Sequence, residues 1–194
     1  MTREHMLDDQ RFASRRPDVL TYQTDDLTGD VTLAGSIWPS LLVSTSGTDS
    51  DFVVKLIDVY PADYPEPPNA GGGAPAPAGG YSRMGGYQQL VRGEVFRGKF
   101  RNSFEKPEPF QPNTPAKIEY VMPDVYHTFR RGHRIMVQIQ STWFPLVNLN
   151  PQTFMDILRA TEADFRKATE RIHRGGRNGS RIDLSVVPTG ERSK

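Results

Sequence analysis

The sequence feature that most constrains the fold is a run of residues around position 135 in which two sets of side chains alternate. One side of the alternation holds His133, Ile135, Val137 and Ile139, and the other holds Arg134, Met136, Gln138 and Gln140. This period of two predicts a half-buried β-strand over 133–140. Gly132 allows a tight turn before the strand. Because Pro145 cannot donate to a β-ladder, we expect the strand to end near Trp143 and Phe144.

Further short runs rich in β-branched and aromatic residues predict more strands. They lie at residues 18–22, 31–37, 41–45, 52–60, 87–97 and 117–121, and Trp38-Pro39 is expected to end the second of them. The run 52–60 has almost no polar interruption, which indicates a central strand covered on both faces. Proline and glycine recur through 61–86, so we expect a long loop there.

The segment 153–174 allows two interpretations. Its apolar residues fall near helical spacing, with Gly175 as a stop signal. Alternatively, any helix ends near Arg166 and residues 168–174 form a strand. We favour the second interpretation, with that strand pairing across the glycine-rich link 175–180 with a strand at 181–187, as a hairpin.

These elements together predict an all-β fold. About nine short strands, one or two short helical segments and a long Pro/Gly-rich loop are typical of an antiparallel jelly-roll β-sandwich. We expect the domain to span residues 17–188. Residues 1–16 are expected to form a linker arm, and residues 189–194 a tail.

Composition argues against several classes of function. The chain has 24 Lys and Arg against 23 Asp and Glu, so nothing indicates nucleic acid or an anionic membrane as a partner. It has no cysteine, which excludes disulfides and thiolate metal sites. The first 30 residues contain no long apolar run, so we expect no signal peptide and no membrane-spanning helix. The compartment is not indicated.

No set of residues matches a catalytic motif. Ser82 in Gly80-Tyr-Ser-Arg-Met84 is the nearest match to a hydrolase nucleophile, but the second glycine and the following helix are missing. Asp49 and Asp51 offer oxygens for calcium, but we favour a solvated turn as their explanation. We therefore assign no catalytic residue, no cofactor and no metal ligand.

Aromatic residues are the candidates for a binding surface. Trp143 and Phe144 with Trp38 suggest a docking face or a sugar-binding platform, and packing at the end of a sheet is the alternative. We add Tyr126 and His127 as further residues of a docking surface or pocket wall.

Several segments together resemble one protein family. They are residues 9–20, 44–61, 84–98, 100–107, 122–145 and 148–152. They are similar to the C-terminal domain of the α-amino-acid ester hydrolases, relatives of cocaine esterase, glutaryl acylases and Xaa-Pro dipeptidyl-peptidase. The resemblance covers nearly all of residues 8–188 and implies a galactose-binding-like jelly roll. It also implies that the Ser-His-Asp triad belongs to a preceding α/β-hydrolase domain, so no catalytic residue carries over.

The resemblance implies an accessory role. We expect a non-catalytic module that packs on an α/β-hydrolase domain, in cis or in trans, and helps to shape its acyl pocket. The substrates would be α-amino-acid esters, β-lactam side chains or peptides, and a homo-oligomer is compatible with this role. The alternative is a free-standing carbohydrate- or ligand-binding jelly roll that uses Trp143, Phe144 and the 61–86 loop. A third hypothesis is a self-sufficient hydrolase with Ser82 and either His127 or His133.

Overall fold

The computed structural model describes residues 9–66, 83–176 and 179–188. Its strands are β1 (Val19–Gln23), β2 (Val31–Thr45), β3 (Asp51–Val59), β4 (Gln88–Arg97), β5 (Ala116–Glu119), β6 (Met122–Phe129), β7 (Arg134–Gln140), β8 (Glu170–Ile172) and β9 (Arg181–Val186). A short helix, α1, spans Arg11–Ser14, and 3-10 turns lie at Gly98–Phe100, Ile157–Arg159 and Glu162–Asp164. No helix in the described ranges is long and apolar enough to cross a membrane.

Two antiparallel sheets face each other and form a β-sandwich. The first sheet has the order β1-β7-β3-β4. In the second sheet all four partners pair with β2: β5 and β6 follow one another along one edge, and β8 and β9 follow one another along the opposite edge. The core between the sheets contains Phe52, Val54 and Leu56 of β3 against Leu33, Ile37 and Leu41 of β2. The predicted all-β jelly-roll class is confirmed.

Strand β3 is the buried centre of the first sheet. All nine of its residues are buried, and it pairs with β4 on one side and β7 on the other. This confirms the central strand predicted from the run 52–60. Each fully buried Val, Leu, Ile or Phe side chain contributes about 1.5–3 kcal/mol, so β3 supplies a large share of the apolar stabilisation.

The two strands predicted at 31–37 and 41–45 are one continuous strand, β2. The expectation that it ends at Trp38-Pro39 is wrong. The Pro39 carbonyl accepts a hydrogen bond from the Tyr120 amide at 3.4 Å, on the edge where β5 gives way to β6. A residue's N–H and C=O point to the same edge of an antiparallel ladder. The missing N–H of Pro39 therefore faces the gap between two partner strands, where it breaks no ladder bond.

The C-terminal strands do not form the predicted hairpin. In the described residues β8 and β9 each pair with β2, with Ile172 opposite Val43 and Ile182 opposite Pro39. Between β8 and β9, Leu42 of β2 has no strand partner on this edge among the described residues, and its amide donates to Ser180 Oγ at 2.9 Å. Strands β8 and β9 thus act as two parts of one interrupted partner of β2, because the long edge of β2 offers more pairing than two short strands offer each other.

Residues 9–16 pack on the outer face of the first sheet. The Gln10 amide donates to the Gln88 carbonyl at 2.8 Å, and Asp9 forms a bridge with Gln89 of β4. Lys55 of β3 donates to Gln10 Oε1 at 2.9 Å. The boundary between a linker arm and the domain at residue 17 stays a prediction.

A substitution at Gly93 tests how closely Trp143 packs on the outer face of the first sheet. A Cβ at this position of β4 would lie 2.5 and 3.0 Å from ring atoms of Trp143. We expect Gly93→Ala to destabilise the fold by about 1–3 kcal/mol through overpacking, measured by urea unfolding. Gly29→Ala is the control, because a Cβ there meets nothing within 4 Å. Equal unfolding midpoints for the two variants would contradict the packing described.

Candidate functional site

Trp143 and Phe144 lie together beyond the end of β7. Trp143 is only 9 % exposed, and its indole packs against Val53, Leu90 and Val95 on the outer face of the first sheet. Phe144 is 57 % exposed. With Phe12 of α1, which is also exposed, Phe144 and Trp143 line a small surface cavity. Trp143 is thus an anchor of the fold, and Phe144 is the residue of the pair that presents an apolar surface.

Trp38 and Tyr126 lie on the other sheet. Trp38 of β2 is 52 % exposed and Tyr126 of β6 is 83 % exposed. Their strand neighbours Ile37 and Val125 belong to the core, so both aromatic rings point away from it. The structure therefore places Trp38 and Tyr126 on the opposite outer face from Trp143 and Phe144. A single sugar-binding platform of Trp38, Trp143 and Phe144 is not formed.

The fifth candidate, His127, points into the space between the sheets. Its Nε2 lies 2.9 Å from Asp58 Oδ2, and His133 Nδ1 lies 2.8 Å from Asp58 Oδ1. Asp58 belongs to β3 and is buried, whereas His127 belongs to β6 of the second sheet. The ring of His133 also packs against Tyr60, with ring centroids 4.5 Å apart. This group joins the two sheets through polar side chains, and His127 does not reach either outer face.

The components of a hydrolase triad are separated within the described ranges. Asp58 holds two histidines, and the hydrogen bonds of those histidines include none to a serine. Ser44 Oγ lies 3.0 Å from His173 Nε2, and the hydrogen bonds of His173 include none to a carboxylate. A triad requires the nucleophile, the base and the orienting acid in one chain of hydrogen bonds. Ser82, the proposed nucleophile, lies outside the described residues.

Asp49 and Asp51 are buried, and the half-buried Glu170 lies near Asp51 and completes an acidic cluster. Asn150 Nδ2 donates to Asp51 Oδ1 at 2.8 Å, and Ser50 Oγ donates to Glu170. Lys99 Nζ lies 3.9 Å from Asp49 Oδ2. The expectation of a solvated turn is wrong, since Asp49 and Asp51 are fully buried. No group of three His, Asp or Glu side chains in the described part of the chain has an arrangement that could hold a metal ion.

Burial changes the proton affinity of these carboxyl groups. Loss of hydration raises the pKa of Glu170 to about 7 and that of Asp51 to about 6, and it raises the pKa of Asp49 as well. A carboxyl whose pKa is raised in the folded state binds its proton more tightly there than in the unfolded chain. Its contribution to stability is full at acidic pH and is lost as the pH rises through the folded-state pKa.

Glu170→Gln should therefore change the pH dependence of stability. At pH 5 we expect the variant and the unmodified protein to unfold at similar urea concentrations, because the carboxyl is protonated. At pH 8 we expect the variant to be more stable by about 1–3 kcal/mol, since it has no buried charge to desolvate. Glu105→Gln at an exposed position is the control and should show no such pH-dependent difference. A constant difference between Glu170→Gln and the unmodified protein from pH 5 to pH 8 would contradict the effect.

Comparison with known proteins places this sandwich in a family. Residues 4–183 match the family model of the X-Pro dipeptidyl-peptidase C-terminal non-catalytic domain. Cocaine esterase of Rhodococcus sp. (strain MB1 Bresler) is 32 % identical over 179 residues, which are 92 % of this chain and 27 % of that protein. The chain therefore belongs to the family of these C-terminal non-catalytic domains, as the sequence resemblance implied.

Solved structures agree with this membership. An aminopeptidase from a marine sediment archaeon (Thaumarchaeota archaeon) is 40 % identical with a TM-score of 0.83, and an α-amino acid ester hydrolase is 43 % identical with a TM-score of 0.81. Each match covers 94 % of this chain and 28 % of the other chain. This chain thus spans little more than a quarter of these relatives' length, and it corresponds to one domain of larger hydrolases.

Proposed function

We propose that this chain acts as the accessory module of an α/β-hydrolase that cleaves α-amino-acyl esters or peptides. The family match over residues 4–183 carries the proposal, because that family is described as non-catalytic. Two relatives support the substrate class, since one is an α-amino acid ester hydrolase and the other an aminopeptidase. The dispersed Ser, His and Asp side chains of the described residues agree with a role outside the chemical step.

The apolar surface around Phe144 is the face that we propose docks on the catalytic domain. Phe12 and Phe144 are each 57 % exposed and line one cavity on the outer face of the first sheet. Leu146, two positions after Phe144 in the chain, is also exposed. Exposed apolar patches that a protein would otherwise leave in water mark interaction surfaces. Phe12 also lies in residues 1–16, the expected linker arm, and the family resemblance implies that a hydrolase domain precedes this segment, which supports docking through the face that contains Phe12.

A chimera tests the docking role. In it, this chain replaces the matching C-terminal domain of the α-amino acid ester hydrolase relative, and thermal unfolding is followed. We expect Phe144→Ser to lower the stability of the chimera by about 1–3 kcal/mol, as loss of a buried aromatic contact does. The isolated chain should be nearly unaffected by the same substitution. Tyr126→Ser on the opposite outer face is the matched control and should leave both proteins unchanged.

The same preparations test the lack of catalysis. The isolated chain should not hydrolyse phenylglycine methyl ester above the uncatalysed rate, whereas the chimera should. Hydrolysis by the isolated chain that disappears in Ser82→Ala would contradict the proposal. An equal effect of Phe144→Ser on the isolated chain and on the chimera would contradict docking through this face.

A further inference from the structure

An apolar cavity opens between the two sheets at the edge formed by β1 and the β8–β9 side of β2. Its volume is about 210 Å³. The walls are apolar: Leu41 of β2 and Ile139 of β7 belong to the buried core, and the partly buried Val137, Ile172 and Ile182 pack against it. Tyr22 of β1 completes the wall of the first sheet. The cavity is therefore a solvent-accessible extension of the core and not a surface depression between loops.

The interruption between β8 and β9 explains why the core is open here. Along this edge of β2, Ile172 lies opposite Val43 and Ile182 lies opposite Pro39, but none of the described residues pairs with Leu41 on the same edge. An uninterrupted strand would place one more inward side chain at that position, because alternate residues of a strand face the core. Because β8 ends at Ile172 and β9 begins at Arg181, this side chain is missing among the described residues. Ser180 Oγ completes the backbone hydrogen bonds of Leu42 without filling the space.

The mouth of the cavity is positively charged. Arg174 and Arg181 are its charged lining residues, and no carboxylate lines it within the described part of the chain. Arg181 pairs with Asp183 at 3.1 Å. Arg174 has no ion pair among the described residues, and its guanidinium lies 5.6 Å from the centre of the Tyr22 ring, across the mouth. Arg174 thus offers its hydrogen-bond donors to a ligand.

We propose that this cavity binds a small amphipathic carboxylate, with its alkyl chain or single aromatic ring between the sheets and its carboxylate on Arg174. A buried apolar cavity of about 150 Å³ is large enough to take up benzene, so 210 Å³ accommodates a ring or a short alkyl chain. The planar guanidinium of arginine matches a carboxylate through two parallel hydrogen bonds. The apolar wall and the unpaired cation together select this class of ligand, independently of the role proposed for the Phe144 face.

The test compares three probes that share one alkyl chain: octanoate, octanol and octylammonium. Isothermal titration of the full chain should show saturable binding of octanoate, with octanol about tenfold weaker or more, as expected when a charge-assisted hydrogen bond is missing. Octylammonium should bind more weakly than octanol. Adding salt should weaken the binding of octanoate more than that of octanol.

Two variants locate the binding. Arg174→Gln should reduce the affinity for octanoate to that for octanol, whereas Arg171→Gln should not change it. Arg171 is the control because it lies on β8 next to Ile172 and its side chain contacts Asn113 outside the cavity. Ile172→Phe, checked for an unchanged fold by thermal unfolding, should weaken both octanoate and octanol by filling the space. Absence of saturable octanoate binding, equal affinities for octanoate and octanol, or an unchanged affinity in Arg174→Gln would each overturn the proposal.

Discussion

Strand β3 is covered by protein on both of its faces, and the two covers come from distant parts of the chain. Its inward side chains meet β2 of the second sheet. Its outward side chains, Val53 and Lys55, meet Trp143, and Lys55 also reaches Gln10. Removing either cover would expose apolar surface worth about 25 cal/mol per Å². Both faces of β3 are therefore excluded from solvent.

The outer cover also encloses a charge. Lys55 is 2 % exposed, its ammonium group donates to Gln10, and it lies 4.7 Å from the centre of the Trp143 ring. Burial lowers the pKa of Lys55 to about 8. A buried ammonium group needs both a hydrogen-bond acceptor and a polarisable neighbour to offset lost hydration. Gln10 and Trp143 supply these, which ties the N-terminal segment and the β7 exit to the same strand. Because Gln10 and Trp143 both contact Lys55, their near neighbours Phe12 and Phe144 lie on the same surface.

Part of this structure could be predicted from the sequence because its signals are local. The apolar run of β3 and the alternation of β7 each identify a strand without knowledge of its neighbours. The pairing of β8 and β9 could not be predicted, since a glycine-rich link indicates a reversal but does not reveal the free edge of β2. Strand β6 was not predicted because Pro123 and polar residues between its apolar positions weaken the signal.

The candidate surface was harder to predict than the strands. Trp38 and Trp143 both follow apolar runs, but which outer face each occupies depends on how the two sheets face each other. The inward position of His127 depends on Asp58, which is 69 positions away in the chain. Burial of Asp51 likewise depends on Asn150, 99 positions away. The family resemblance supplied the role of the chain, and the placement of its aromatic residues required the structure.

Native-state hydrogen exchange of the isolated chain tests whether β3 holds the domain together. The amides of Asp51–Val59 should exchange only through global unfolding, with the same free energy that urea unfolding gives. The amides of the short strand β8 should exchange through smaller openings. Exchange of the β3 amides at free energies well below the global value, while the amides of β2 stay protected, would contradict a fold built around the double burial of β3.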